Sequence, residues 1–152
     1  MITVSDGVHA GTREDLSGQA LAALLAGNGF EVATAVVPDE QSAIVSALHD
    51  ASHAARLIVT TGGTGFGPRD VTPEATDLVL EREAPGLTHL MLQAGLKSTK
   101  MAALSRARAG CLGTSLIVNV PGSTRGAIES IEAIIDVIPH ALDLLEGNTQ
   151  HG

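Results

Sequence analysis

The stretch TTGGTGFGPRDVTPEA, residues 60–75, sets Gly62, Gly63, Gly65 and Gly67 between a strand-like run and the helix start Thr72-Pro73-Glu74. Glycines carry no side chain, so several backbone N–H groups can converge on an anion and positive φ angles become accessible. The helix start behind them adds a partial positive charge. The pattern is not a Walker A loop, because no Gly-Lys-Ser/Thr follows, and it is not G-x-G-x-x-G. It holds more glycine than a turn needs, so it reads as an anion-binding loop rather than a plain connection.

Two acids flank comparable places. Asp39 follows a strand-like run in VVPDEQ, and Asp70 ends GPRD. Each is either a cap for the helix behind it or a metal carboxylate. The cap reading is weaker for Asp70, since Thr72 already stands before Pro73. Paired carboxylates beside a phosphate loop suit Mg²⁺, which keeps several waters and bridges phosphate oxygens. NVPGSTRG, residues 119–126, is a second strand, turn and helix start: Pro121-Gly122 makes the turn and Ser123 or Thr124 caps. SDGVHAGTREDLSG, residues 5–18, reads either as a substrate loop or as ordinary surface. Ser105-Arg106 offers a hydroxyl and a guanidinium. His49 and His53 stand four apart but have no third ligand, which favours a solvated helix face.

These segments need elements to hold them. Ile2–Ser5, Phe30–Val37 and Arg56–Thr61 read as strands, the last without alternation and so buried on both faces. Ala20, Leu21, Leu24 and Leu25 share one helix face, with Ser17 as N-cap and Gly29 as stop; Ile44, Val45, Leu48 and Ala51 share another behind Pro38 and Asp39. A helix from Thr72 buries Ala75, Leu78 and Val79 and ends at Pro85-Gly86. The next, Leu87–Leu96, buries Leu87, Leu90, Met91 and Ala94. Ser105–Cys111 and Ser115–Val120 form a hairpin near Leu112-Gly113. Ile128, Ile131, Ile134, Ile135 and Ile138 mark a last helix, kinked by Pro139. Strand and helix alternate, so the expected fold is α/β: a three-layer αβα sandwich with a mostly parallel central sheet and one antiparallel strand. Ligands bind outside the carboxyl ends of such strands. The loops after Ser5, around Asp39, after Thr61 and after Val120 should therefore gather there.

Composition narrows the chemistry. The chain of 152 residues fits a single domain, 1–152, and 44% hydrophobic against 17% charged residues supplies a core. Net charge is −8, with only Phe30 and Phe66 as aromatics, which argues against nucleic acid as a partner. It also means that any anionic substrate relies on backbone N–H groups, a few placed arginines or a metal ion. Arg69, Arg106 and Arg125 are the candidate arginines. A lone Cys111 excludes an internal disulfide and a multi-cysteine metal site. With no apolar run of membrane-spanning length and no signal-peptide pattern at the N-terminus, the cytoplasm is the expected location and no membrane the expected partner. Ser5 stands only four residues after Met1, so the first strand is short and a native start further upstream is compatible with it.

Taken together, SDG with the later D-x-SG, then PDE, TTGGTG, RDVTPEA, LSR and N-x-PGS resemble the MogA/MoaB family of molybdenum-cofactor biosynthesis over Ser5 to about Leu145. The resemblance implies molybdopterin adenylyltransferase activity: AMP passes from Mg-ATP to the terminal phosphate of molybdopterin, and pyrophosphate leaves. It implies Asp39 and Asp70 as the acids needed for activity and as candidate Mg²⁺ ligands. It further implies substrate or nucleotide contacts at Ser5, Asp6, Thr61, Gly62, Gly63, Thr64, Gly65, Ser105, Pro121, Gly122 and Ser123. A homotrimer is implied as well, with hexamers in the MoaB-like branch, and a downstream molybdate insertase as a partner. Without Trp or Tyr, adenine and pterin would rest on apolar side chains and backbone edges. The alternatives are a non-catalytic MoaB-like binding protein and a competence-damage-like nucleotide pyrophosphatase.

Overall fold

The structure, a computed structural model, describes residues 1–148, so the last four residues of the expected domain lie outside it. In chain order the elements are β1 (Ile2–Val4), α1 (Asp6–His9), α2 (Leu16–Gly27), β2 (Ala35–Val37), α3 (Gln41–Ser52), β3 (Leu57–Thr61), α4 (Thr72–Asp77) and β4 (Arg82–Glu83). Then follow α5 (Pro85–Ser98), a 3-10 turn (Lys100–Leu104), β5 (Ala109–Leu112), β6 (Ser115–Val120), α6 (Thr124–Glu132) and α7 (Ile138–Leu145).

The strands form one six-stranded sheet in the order β2-β1-β3-β6-β5-β4. β1, β2, β3 and β6 are parallel, while β5 runs against both β6 and β4. β3 and β6 pair over five registered positions at the centre, and period-2 alternation sends their side chains to opposite layers. Val59, Leu116, Val118 and Val120 pack with Leu21, Leu25, Ile131, Ile138 and Leu142 of α2, α6 and α7. Ile58 and Ile117 face Ile44, Leu48 and Ala75 of α3 and α4. The three layers and the single antiparallel strand therefore stand as expected. No helix among the described residues is long and apolar enough to cross a membrane.

Several elements differ from expectation. Of Phe30–Val37 only Ala35–Val37 is strand, because edge strand β2 pairs with β1 alone and β1 offers three residues. Residues 105–108 leave the expected strand: Arg106 N–H donates to the Thr64 carbonyl, and Arg108 N–H to Asn119 Oδ1. Asp15, not Ser17, caps α2, accepting from Gly18 N–H at 2.9 Å while Thr3 Oγ1 donates to its other oxygen at 2.7 Å. Thr72 is not a cap either. It sits inside α4, and its hydroxyl donates to the Gly62 carbonyl. α4 ends at Asp77, so Leu78 falls outside the helical period and is 66% exposed. Met91 is the one buried member of the α5 stripe; Leu90 faces solvent. The last helix is two helices, with Pro139 in the first turn of α7, where its missing N–H costs nothing. β4, α1 and the 3-10 turn are too short to leave a periodic signal.

Candidate active site

The four expected loops meet at the carboxyl edge of the sheet and border a cavity of about 910 Å³. Gly62 N–H donates to the Val120 carbonyl, and Thr61 Oγ1 donates to the Pro121 carbonyl at 2.8 Å. These bonds hold the glycine loop against the Pro121-Gly122 turn. A Cβ on Gly122 would stand 3.2 Å from Gly62 Cα, so the two turns touch backbone to backbone.

The glycine loop shows a sharp asymmetry between its acceptors and its donors. Thr72 takes the Gly62 carbonyl with Oγ1 and the Gly63 carbonyl with N–H; Arg106 takes the Thr64 carbonyl with N–H and the Gly65 carbonyl with Nε. The N–H groups of Gly63, Thr64 and Gly65 donate to nothing among the described residues. Positive φ at Gly62 (101°) and Gly63 (64°) makes the turn, and a side chain would be strained at both. The loop is thus anchored by its carbonyls and leaves three consecutive donors at the cavity, an arrangement suited to phosphate oxygens.

Both acids lie against this loop. A Cβ at Gly63 would come 3.2 Å from Asp39 Oδ1, and one at Gly65 would come 2.9 Å from Asp70 Oδ2. Neither acid caps the following helix: Glu40 stands at the start of α3 without a side-chain bond, and Val71 at that of α4. Asp70 Oδ2 instead accepts from Gly67 N–H at 2.8 Å and closes the loop. Asp39 Oδ2 accepts from Asp6 N–H. Burial pushes the Asp39 carboxyl above the ordinary carboxylate range, and the charges of Asp6 and Asp70 push the same way. Oδ1 of each acid has no hydrogen-bond partner among the described residues. Mg²⁺ needs only one or two protein carboxylates beside phosphate oxygens and water, so this donor set fits it. Among the described residues no three His, Cys, Asp or Glu side chains gather to hold a metal alone, so the ion would have to be shared with a phosphate.

Ser5, Ser105 and Ser123 all border the cavity. Each hydroxyl oxygen accepts from a nearby backbone N–H, of Val8, Ala107 and Gly126 respectively, all at 3.3 Å. Their hydroxyl hydrogens have no acceptor among the described residues and are available to a ligand. Thr64 also lines the cavity, buried. Asp6 does not line it: its carboxylate is held by Arg69 Nε and Nη2, each at 3.0 Å, and this pairing keeps it below the ordinary range. The arginines singled out from the sequence are all paired. Arg69 holds Asp6, Arg125 holds Glu129, and Arg106 binds Glu74 and the Asp70 carbonyl while lying over Phe66. Sequence reading missed the wall formed by α5 and the 3-10 turn, where Met91, Leu92, Met101 and Leu104 offer aliphatic surface. Its signal was the apolar residues Leu90, Met91, Leu92 and Leu96, followed after a polar break by Met101 to Leu104, which read as core alone when the fold is unknown.

Fold and site together are those of an α/β protein with an acidic pair beside a row of unpaired backbone N–H groups, among the described residues, at the carboxyl edge of its sheet. The chain belongs to the molybdenum-cofactor biosynthesis family: the family model described as "Probable molybdopterin binding domain" matches residues 1–140. It is 39% identical to the molybdopterin adenylyltransferase of Helicobacter pylori, over 97% of this chain and 87% of that protein. It is 41% identical to the molybdenum cofactor synthesis protein cinnamon of Drosophila melanogaster, over 95% of this chain but only 25% of that longer protein. In structure it resembles the molybdopterin biosynthesis enzyme MoaB of Thermus thermophilus, with a TM-score of 0.89 and 50% identity over 96% of this chain and 94% of that one.

Proposed function

We propose that this protein is a molybdopterin adenylyltransferase, joining AMP from ATP to the terminal phosphate of molybdopterin. The observation that carries this reading is the row of free N–H groups at Gly63, Thr64 and Gly65, set between Asp39 and Asp70. An oxygen of the molybdopterin phosphate attacks the α-phosphorus of ATP, the bond to the β-phosphate oxygen breaks, and pyrophosphate leaves. The attacking phosphate is already ionised near pH 7, so no strong general base is needed. The loop N–H groups hold phosphate oxygens in line, and the hydroxyls of Ser5, Ser105 and Ser123 donate to further oxygens. Asp39 and Asp70 would hold Mg²⁺, which would supply positive charge against the triphosphate and the departing pyrophosphate. Leu92, Met101 and Leu104 give the flat ring systems an aliphatic surface in the absence of Trp and Tyr.

The setting follows from the same reading. The family resemblance suggests a homotrimer, and exposed Leu90 and Leu96 on α5, at 39% and 44% exposure, offer apolar surface for a subunit contact. The cytoplasm and a downstream molybdate insertase suit a cofactor intermediate that must be handed on. The test is incubation with molybdopterin, Mg²⁺ and α-labelled ATP. Labelled adenylylated pterin plus pyrophosphate, lost in Asp39→Ala and Asp70→Ala, supports the reading. Pterin binding without transfer would turn it into a binding protein, and slow cleavage of a dinucleotide pyrophosphate instead would turn it into a hydrolase.

A further inference from the structure

Five carboxylates border the cavity, Glu14, Asp15, Asp39, Asp70 and Glu129, and of these only Glu129 is paired with an arginine among the described residues, Arg125. A site of that sign repels the polyphosphate it is meant to hold, unless cations answer it. Three arginines also border it, and two are committed elsewhere. Arg106 is bound to Glu74 and the glycine-loop carbonyls, and Arg108 Nε donates to Asp77 Oδ1 at 2.7 Å. Lys97, Lys100 and Arg82 do not border the cavity. Arg13 does, and among the described residues no carboxylate pairs with it.

Arg13 is also held in place by its own segment. The Gly7 carbonyl accepts from Thr12 N–H at 2.9 Å, Arg13 N–H at 3.1 Å and Thr12 Oγ1 at 3.1 Å, so the loop wraps around one acceptor. The side-chain stem lies on Gly7: a Cβ there would come 3.2 Å from Arg13 Cβ and 3.5 Å from its Cδ. A stem packed against backbone with an unpaired head is an arm whose planar fork can take two phosphate oxygens at once.

We propose that Arg13 binds a phosphate group of the substrate and is the free cation that offsets the acidic lining of this cavity. This rests on the phosphoryl-transfer reading above and adds to it the group that captures the anion. The phosphate belongs either to the nucleoside triphosphate or to the phosphate monoester acceptor, and the two are separated by measuring each.

The experiment is equilibrium binding of α,β-methylene-ATP with Mg²⁺ and, separately, of molybdopterin, to the full chain and to Arg13→Ala and Arg13→Lys. Transfer assays and circular dichroism run alongside. Arg13→Ala is expected to weaken one of the two ligands about tenfold at low salt, with the difference shrinking as salt screens the contact. Arg13→Lys should retain most of the affinity, and kcat should change less than KM for the affected ligand. Whichever ligand weakens identifies the phosphate held. Wild-type affinity for both ligands in a folded Arg13→Ala protein overturns the proposal while leaving the adenylyltransferase reading intact. Failure of the unmodified chain to bind either ligand overturns both.

Discussion

Asp6 and Asp39 exchange backbone hydrogen bonds: Asp6 N–H donates to Asp39 Oδ2 at 2.8 Å, and Asp39 N–H donates to Asp6 Oδ1 at 3.0 Å. The residues follow the adjacent parallel strands β1 and β2, whose register sets Val4 beside Val37. The exchange clasps the two strand ends and aims the remaining Asp39 oxygen at Gly63. Arg69 then neutralises Asp6, whereas Asp39 has no arginine of its own. One acid is made structural and the other is left available for a cation.

Asp39→Asn keeps an acceptor for Asp6 N–H and removes a charge that burial and two neighbouring acids already oppose. Adenylyl transfer should fall at least about 100-fold, the scale of losing a group that stabilises transition-state charge. Thermal stability should hold or rise, by less than about 1 kcal/mol for a partly exposed charge. A melting curve displaced downward by more than about 5 °C would show that the carboxylate is structural.

The two acids should titrate in opposite senses. Asp39 has a raised folded pKa, so its contribution to stability is present while it is protonated and is lost as pH rises through that value. Asp6 has a lowered one, so its contribution is present above the unfolded value and is lost as pH falls through the folded value. Carboxyl-carbon NMR should place the Asp39 midpoint above that of Asp6. Adding Mg²⁺ with α,β-methylene-ATP should move Asp39 downward, and transfer should fade as pH drops through its midpoint. An Asp39 midpoint that ignores Mg²⁺ speaks against its role as a ligand.

Arg106 acts on the loop rather than on the substrate. Its Nε and Nη2 hold the carbonyls of Gly65 and Asp70, at 2.7 and 2.8 Å, and its backbone N–H holds that of Thr64. Arg106→Met should cost about 1–3 kcal/mol, since it strips charge-assisted bonds from two carbonyls. Protease cutting within residues 62–70 should increase, and nucleotide affinity should fall with it. Intact resistance to cutting would remove the clasp from the account. Arg106→Lys cannot span both carbonyls as a fork and should rescue little.

Gly62→Ala and Gly63→Ala separate folding from function. A Cβ at Gly62 would sit 2.3 Å from the Val4 carbonyl, at φ 101°, where backbone has no room to give. Its melting temperature should fall by about 6 °C or more, for a cost of about 3 kcal/mol or above. At Gly63 the nearest atoms are the buried Thr72 hydroxyl, which would have to give up its bond to the Gly62 carbonyl, and the Asp39 carboxylate, which can shift, and no backbone atom is met. That variant should fold better than Gly62→Ala yet bind Mg-nucleotide poorly. Equal melting temperatures for the two would contradict this geometry.

Much of the scaffold was legible because burial imposes local periods. Unbroken apolar runs marked β3 and β6, and the i, i+3, i+4 spacing marked α2 and α3. Element ends were less legible. Strand β2 is cut short by its partner and not by its own residues, and α4 stops after six residues although Leu78 and Val79 continue the pattern. Pro139 was visible as a disturbance, but whether it kinks one helix or opens a second depends on how residues 133–137 turn before it.

By itself the sequence determined the glycine loop, its place after a buried strand, and the acids that follow, because φ freedom and hydrophobic period are properties of neighbouring residues. Tertiary structure alone decided which charges are spent and which remain. Arg69 and Asp6 are 63 residues apart and Arg106 and Gly65 are 41 apart, yet each pair lies within 3.0 Å. Such pairings depend on where the sheet order carries each loop, and hydrogen bonds form only at contact distance. That is why the arginines most prominent in the sequence hold the scaffold, while Arg13, in a loop without periodicity, keeps its charge at the cavity.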